Sequence, residues 1–212
     1  MPIIKSKNAH ALIYWLPLII TLLIVFGACN NRQQASNFGD GTAVRYFEET
    51  SYTVQGEFLY FLNQYGGTDS LGYPLTEEVV VEGWRVQYFE KGRLEYHPEN
   101  EPAYRVTVGW LGDLLNRRRP PISSENIPPD GTPDSRYYPQ TGHTLSGDFL
   151  HYFDSHDGSV RFGLPISEPF LWEGQLTQDF QSARFFWTPQ AQESVTLEEI
   201  GRVHLETINI HP

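Results

Sequence analysis

The stretch "RYFEETSYTVQGEFLYFL", Arg45–Leu62, recurs 91 residues later as "RYYPQTGHTLSGDFLHYF", Arg136–Phe153, without a gap. The match extends to Pro98 over Pro189 and gives 17 identities in 54 positions, where average residue frequencies give about three by chance. A fixed internal period is typical of a repeated structural unit. The sequence therefore predicts two tandem repeats with a period of 91 residues.

Each repeat is predicted to be a helix packed on a small antiparallel sheet, which places the chain in the α+β class. Thr53 and Thr144 are predicted N-caps of the two helices. The segments "EEVVV", "WRVQYF", "RLEY" and "YRVTV" are β-branched or aromatic and read as strands. The helix prediction depends on apolar residues at helical spacing, which are Val54, Phe58, Leu59, Phe61, Leu62 and Tyr65 in the first copy and Leu145, Phe149, Leu150, Tyr152 and Phe153 in the second.

Glycine and proline are concentrated between the helix and the first strand of each copy, in "GGTDSLGYPLTEE" (66–78) and "DGSVRFGLPISEP" (157–169). Glycine adopts positive φ and proline fixes its own φ, so these stretches predict a tight structural corner. A loop that contacts a ligand is the alternative. The predicted corner residues are Gly67, Gly72, Pro74 and Glu77 in the first copy and Gly158, Gly163, Pro165 and Glu168 in the second, with Gly67 and Gly158 expected to take the left-handed conformation that ends a helix.

The N-terminus has the composition of an export signal. Lys5 and Lys7 precede an 18-residue uncharged run, 11–28, and the only cysteine, Cys29, follows it directly. This junction resembles the lipobox of bacterial lipoproteins, in which small residues precede a cysteine that is acylated and becomes the new N-terminus. The resemblance implies that Cys29 carries membrane lipid and that the rest of the chain is anchored on the extracytoplasmic face of the membrane. An uncleaved anchor and soluble secretion are the alternatives.

The lipobox match rests on Gly27 and Ala28, whereas Phe26 departs from the aliphatic residue that is common at its position. The predicted organisation is a signal peptide (1–28), a flexible tether (29–43), a first repeat module (44–116), a proline-rich linker (117–135) and a second module (136–212). One cysteine allows no intramolecular disulfide. The formal net charge of −11 argues against a nucleic-acid partner, since binding phosphates requires a basic surface.

The first corner resembles the LGFP repeat of bacterial cell-wall-associated proteins. The resemblance covers the helix and corner of each module and implies association with the cell envelope rather than catalysis. Tyr73 replaces the family's phenylalanine, and the second copy departs further, with Phe162 and Leu164 at two motif positions. The matching residues are Gly66, Gly67, Leu71, Gly72, Pro74 and Glu77 in the first copy and Gly158, Gly163, Pro165 and Glu168 in the second.

Motifs for a serine nucleophile, for zinc or for phosphate binding are absent from the sequence. Glu95 and His97 lie two apart on a predicted strand and form a candidate acid–base pair, but the second copy has Phe186 and Thr188 there. We therefore predict a protein that is not an enzyme and that needs no cofactor or metal. The nearest approach to a metal site is the group His151, Asp154, His156 and Asp157, whose counterparts Tyr60, Asn63, Tyr65 and Gly66 would not rebuild it.

The predicted function is binding of peptidoglycan or another extracellular glycan. A protein-interaction module of an envelope complex is the alternative, followed by a cell-wall hydrolase or an accessory subunit of one. The copies share helix and corner but differ in the strands, so we expect the ligand there, where aromatic rings stack on sugars and charged groups bind hydroxyls. The predicted ligand-binding residues are Trp84, Tyr88, Arg93, Glu95 and Tyr96, the first two sharing a strand face beside Arg93 or Glu95.

Overall fold

The computed structural model describes residues 43–189 and 193–208, which form an α+β structure with four small antiparallel sheets and six helices. The first half holds a hairpin, two helices, a four-stranded sheet of order β3-β4-β5-β6 and a third helix. Its elements are β1 (Val44–Phe47), β2 (Tyr52–Gln55), α1 (Gly56–Gln64), α2 (Gly67–Leu71), β3 (Val79–Val81), β4 (Trp84–Phe89), β5 (Gly92–Tyr96), β6 (Val106–Val108) and α3 (Leu111–Leu114).

The second half holds the same kinds of element, and its four-stranded sheet has the order β12-β11-β10-β9. A 3-10 turn, Ser124–Asn126, lies between the halves, and another, Pro102–Tyr104, precedes β6. The elements of the second half are β7 (Ser135–Tyr138), β8 (His143–Ser146), α4 (Gly147–Ser155), α5 (Gly158–Arg161), β9 (Phe170–Trp172), β10 (Gln175–Asp179), β11 (Arg184–Trp187), β12 (Val195–Leu197) and α6 (Ile200–Thr207).

The hairpins β1-β2 and β7-β8 correct the predicted start of each helix. Thr53 and Thr144 lie in strands, and the N-caps are Gln55 and Ser146, neither of which makes a side-chain capping bond. The backbone N–H groups of Thr53 and Thr144 donate instead to the carboxylates of Glu77 and Glu168, at 3.2 and 2.8 Å. The threonine prediction was therefore wrong, because these backbone donors are used to fasten a hairpin to the corner.

In each half the first long helix covers one face of the four-stranded sheet. Burying an apolar helix face against a sheet is the main stabilising term for such small layers. The core of the first half is built from Phe47, Val54, Phe58, Leu59, Phe61, Leu62, Leu71, Phe89, Leu94 and Val108, and that of the second from Tyr138, Leu145, Phe149, Leu150, Phe153, Phe162, Phe180, Ala183, Phe185 and Val195.

A buried glutamine joins three elements in each half. Gln87 is fully buried, and its amide donates to the carbonyls of Thr53 and Thr76, at 2.8 and 2.9 Å. Gln178 makes the same pair of bonds, at 2.7 and 2.8 Å, in the second half. Each glutamine thus connects the hairpin, the corner and the sheet.

The corners contain the backbone conformations that glycine permits. Gly72 has φ of 77°, and a Cβ there would lie 2.5 Å from the carboxylate of Glu90; Gly163 has φ of 67° and faces Gln181. Gly158 differs from the expectation, because the left-handed residue is Asp157 and a Cβ on Gly158 would overlap the ring of Phe153. Space beside a core ring, rather than φ, requires glycine at that position.

The last helix of each half contacts the turn between the second and third strands of the sheet in the other half. The N–H of Gly112 in α3 donates to the carbonyl of Gln181, at 2.8 Å, and the N–H of Gly201 in α6 donates to the carbonyl of Glu90, at 3.0 Å. A Cβ on Gly112 or on Gly201 would overlap the carbonyl oxygen of Phe180 or Phe89, respectively. Glycine therefore allows each helix to approach the opposite sheet closely, and the two halves form one packed unit.

The segment that follows α3 also runs against the second half. The N–H of Arg119 donates to the carbonyl of Ile166, at 2.9 Å, and that of Ile122 to the carbonyl of Gly142, at 3.0 Å. His143, which is buried, bonds through its Nε2 atom to the Arg119 carbonyl, at 3.1 Å. The first residues of the predicted linker are thus held by backbone contacts.

Candidate functional site

Strand alternation places four of the predicted ligand residues on one face of the first sheet. Trp84 and Tyr88 point to the same side of β4, and Tyr88 pairs with Arg93 across β5. Glu95 lies on that side too, because it is two residues from Arg93. Tyr96 lies on the opposite face, where the guanidinium of Arg85 sits 4.2 Å from its ring centre.

Helix α6 covers much of this face, so the face is largely interior. Tyr88 is fully buried, and its hydroxyl lies 3.1 Å from Nδ1 of His204 on α6. Trp84 keeps 38 % of its surface exposed and packs against His97, with ring centres 4.4 Å apart. A sugar ring has access to Trp84 at the margin of the face and none to Tyr88.

The polar residues of the face form a continuous chain of hydrogen bonds. Arg93 donates from Nη1 to the Tyr88 hydroxyl, at 2.9 Å, and from Nε to Glu95, at 2.9 Å. Glu95 also lies 3.3 Å from Nε2 of His97. Burial lowers the pKa of Arg93, but the charge of Glu95 and the bond to Tyr88 outweigh it and raise the pKa, so the guanidinium stays charged.

This hydrogen-bond network gives Glu95 and His97, the candidate acid–base pair, a structural role. Glu95 is committed to Arg93, which is 8 % exposed and needs a buried counter-charge. The equivalent face of the second sheet holds another buried arginine, Arg184, whose guanidinium donates to Asp179 at 2.6 and 3.1 Å. The first cluster reaches α6 through the Tyr88 hydroxyl and His204, whereas the second reaches the segment after α3, where Nη1 of Arg117 lies 4.0 Å from Asp179.

The histidines and aspartates at the end of α4 do not converge. Nε2 of His151 lies 3.3 Å from Asp134, Asp154 receives two bonds from Arg136, and Nδ1 of His156 lies 2.8 Å from the carbonyl of Tyr152. Among residues 43–189 and 193–208, no group of three or more His, Cys, Asp or Glu side chains is arranged to hold a metal ion.

The corner carboxylates have structural partners of their own. Glu168 accepts bonds from the N–H and hydroxyl of Thr144 and lies 3.2 Å from His143. Burial alone would raise the pKa of Glu168, but the bonds from His143 and Thr144 lower it below the ordinary value. The carboxylate is therefore ionised at neutral pH and holds the hairpin β7-β8 against its corner.

A groove of about 280 Å³ lies where the two halves meet. One wall comes from α1 and the segment around β6, and the other from α5 and the second corner. Tyr104 and Trp110 stand at the groove with 67 % and 57 % of their surfaces exposed. The lining residues are Phe61, Tyr65, Ala103, Tyr104, Val106, Thr107, Val108, Trp110, Ser159, Val160, Gly163 and Ser182.

The groove depends on the contact of α3 with the second half. Trp110 is the N-cap of α3, and the N–H of Gly112 two residues later is bound to the second half. On the other side, the buried hydroxyl of Ser182 donates to the carbonyl of Val108, at 3.3 Å. These bonds join the two halves beside the groove.

Sequence reasoning missed Tyr104 and Trp110 because the aligned repeat ends at Pro98. A signal was present: "VTVGWLG" (106–112) and "VTLEEIG" (195–201) match at an offset of 89 residues. In that alignment, Trp110 corresponds to Glu199. An exposed tryptophan opposite a charged residue marks a place where the halves differ in surface chemistry.

No family model matches the chain, and no curated protein matches it. In the part of the chain that the structure describes, the helices are all too short or too polar to span a bilayer.

Proposed function

We propose that the protein is a non-catalytic module that binds cell-wall or other extracellular glycan, and that the binding site is the groove between the halves rather than the strand face. The observation that carries the proposal is the pair of exposed rings, Tyr104 and Trp110, beside a groove whose lining residues include no Asp, Glu, Lys, Arg or His. Flat exposed rings stack on the apolar faces of sugars, while Ser159 offers a hydroxyl for orientation.

The test is retention of the full-length chain on purified cell wall and on immobilised oligosaccharides. Trp110→Ala and Tyr104→Ala should each weaken binding by about tenfold, which is the loss expected for one stacked ring. Trp84→Ala is the matched control, because Trp84 is also a partly exposed tryptophan but lies outside the groove. Equal loss in all three variants, or loss only in Trp84→Ala, would contradict the groove assignment.

We also propose that the halves are two copies of one module with a period of 91 residues. In support, β1 and β7, β2 and β8, and α1 and α4 begin and end 91 residues apart. The bonds of Gln87 recur at Gln178 with the same kinds of partner. The offset of 89 residues between α3 and α6 places a two-residue deletion after the third strand of the second sheet.

The proposed location is the extracytoplasmic face of a membrane, with lipid on Cys29, which lies outside the described residues. The support is the order of Lys5 and Lys7, the uncharged run and the cysteine in the sequence. Cys29→Ser should leave an unprocessed precursor or release the chain from membrane fractions. Unchanged processing together with unchanged membrane retention would contradict the lipid anchor.

A second candidate function is protein interaction, and an apolar patch on the second sheet favours it. Leu171 and Leu176 are cross-strand partners and expose 72 % and 36 % of their surfaces. Trp187 lies on the same face and exposes 37 %, with its indole N–H bound to Asp148 at 2.8 Å. If Leu171→Lys no longer binds an envelope protein that the wild type binds, while its retention on glycan is unchanged, protein binding is assigned to this patch.

A further inference from the structure

The groove that we assign to glycan has very few polar groups with which to satisfy a ligand. Ser182 is buried and already donates to Val108. Thr107 pairs with Glu95 across the sheet, so its side chain lies on the face opposite to Val106 and Val108, which leaves Ser159 as the aliphatic hydroxyl that the lining offers to a ligand. Most of the remaining lining is apolar or aromatic. A sugar hydroxyl buried there without a partner would cost free energy, so the ligand must place methyl or C–H groups against the walls and keep most hydroxyls in water.

Charge selects further among glycans. The lining residues carry no cation that would pair with a carboxylate, sulfate or phosphate on a polymer. Tyr65 lies in the lining, and burial together with the negative charge of Asp157 raises the pKa of its hydroxyl. The chain as a whole carries a formal charge of −11. An anionic polysaccharide would lose its counter-ions here and gain no partner.

These observations define the ligand by its chemistry. We infer that the groove takes an uncharged saccharide that bears N-acetyl groups, with the acetyl methyl packed against the valine and alanine walls and the sugar faces stacked on Tyr104 and Trp110. The amide of an N-acetyl group brings one donor and one acceptor, and the Ser159 hydroxyl is able to bind either of them because a hydroxyl both donates and accepts. This inference rests on the proposed glycan function and narrows it.

Val160 is the residue that tests the acetyl contact separately from ring stacking. It lies on α5, lines the groove and exposes 42 % of its surface, so its replacement leaves the core intact. Val160→Thr keeps the shape of the side chain and replaces a methyl with a hydroxyl. Val80→Thr is a matched control, since Val80 exposes 73 % on strand β3, outside the groove.

The experiment is calorimetric titration of the full-length chain in detergent with four trisaccharides: N-acetylglucosamine β-1,4 trimer, cellotriose, glucosamine trimer and trigalacturonate. The acetylated trimer should bind about fourfold more tightly than cellotriose for each methyl that the groove buries. Trigalacturonate should not bind. Val160→Thr should weaken the acetylated trimer and leave cellotriose unchanged, whereas Val80→Thr should alter neither affinity.

The outcomes separate this inference from the proposed function. Equal binding of cellotriose and the acetylated trimer, abolished by Trp110→Ala, would overturn the acetyl inference and keep the glycan function. Preference for trigalacturonate would overturn the charge argument, and preference for the glucosamine trimer, which lacks acetyl groups, would overturn the acetyl inference. Binding of none of the four, with an apolar peptide bound in the groove, would overturn the glycan function itself.

Discussion

Helices α3 and α6 dock in the same manner on opposite sheets, yet the surfaces beside their N-termini differ. Trp110, the N-cap of α3, is 57 % exposed and borders the groove. Glu199, the N-cap of α6, instead receives a bond from Arg202, at 2.7 Å, and Arg202 also reaches Glu90, at 3.2 Å. The glycine contact holds the halves together in both places, while the neighbouring residue decides between an apolar groove and an ion-paired surface.

The largest effect is expected from filling the glycine contacts. Gly112→Val and Gly201→Val should each lower the free energy of unfolding by more than about 3 kcal/mol, because the new side chain would meet a backbone carbonyl that cannot rotate away. Urea denaturation measures the change, with Glu206→Ala on the exposed side of α6 as the control. Destabilisation by only one of the two valine variants would show that the two contacts are not equivalent.

Substitution of the corner glycines should lower the free energy of unfolding by a smaller amount. Comparing these variants separates the cost of a strained backbone from the cost of a steric clash. Gly72→Val and Gly163→Val should each cost about 2–3 kcal/mol, since both combine positive φ with a close side chain. Gly67→Ala, at φ of 63° with open space around it, should cost only about 1 kcal/mol. If Gly72→Val melts like the wild type yet abolishes glycan retention, the corner is a contact loop rather than a structural turn.

The pH dependence of stability should report the α6 contact and not the α3 contact. Burial, followed by the positive charge of Arg93, lowers the pKa of His204 below the ordinary value for histidine, about 6.5, while Glu82 and Glu95 act in the opposite direction. The unfolded chain therefore binds more protons, and the free energy of unfolding falls as pH drops below about 6.5. Tyr88, which bonds to His204, stays protonated because burial raises its pKa.

His204→Gln removes this titration and retains a hydrogen-bonding group for Tyr88. At pH 7 it should change the free energy of unfolding by no more than about 1 kcal/mol, and its loss of stability toward pH 5 should be smaller than that of the wild type. Denaturation series at pH 7 and pH 5 supply the comparison. Identical pH dependence in both proteins would mean that His204 does not carry the linked proton.

The smallest effect is expected from Arg85→Leu, which replaces a charged residue of the first half with the residue found at the aligned position of the second half. Arg85 pairs with Glu57, at 3.0 Å, and with Glu78, at 3.3 Å, whereas its counterpart Leu176 is exposed. Arg85→Leu should cost less than about 1 kcal/mol, since the pair is partly solvated, but it should create a second apolar patch. Size-exclusion chromatography should then show self-association, and unchanged elution would argue against an adhesive role for such patches.

Much of the fold could be predicted from the sequence because it depends on the spacing of apolar residues within short segments. Helices α1 and α4 follow from apolar residues on one face, and strands β3 to β6 follow from β-branched or aromatic runs separated by glycine or, between β5 and β6, by a loop that contains proline. The hairpins could not be predicted in the same way. Val54 and Leu145 fit the apolar spacing of the helix that follows, although they lie in strands β2 and β8. Their true role depends on Glu77 and Glu168, which are more than twenty residues away.

The site was harder to predict than the fold because it is made by contact between the halves. The strand face carries the chemistry that suggested a ligand, but α6 arrives from the far end of the chain and buries Tyr88 beneath it. The residues that remain exposed at a concave surface, Tyr104 and Trp110, lie in a 3-10 turn and at a helix N-cap without a distinctive motif. Only the packing of α3 across the boundary brings them beside α5.

The exchange of helices also sets the order in which the nascent chain can complete its structure. When the first sheet leaves the ribosome, the helix that covers Tyr88 and Arg93 has not been synthesised, so that sheet waits for residues 200–207. Contacts between such distant segments slow folding. For the same reason, fragments 1–130 and 131–212 should each be incomplete alone and should reassemble when they are produced together, as a split protein in which each piece supplies the missing helix of the other.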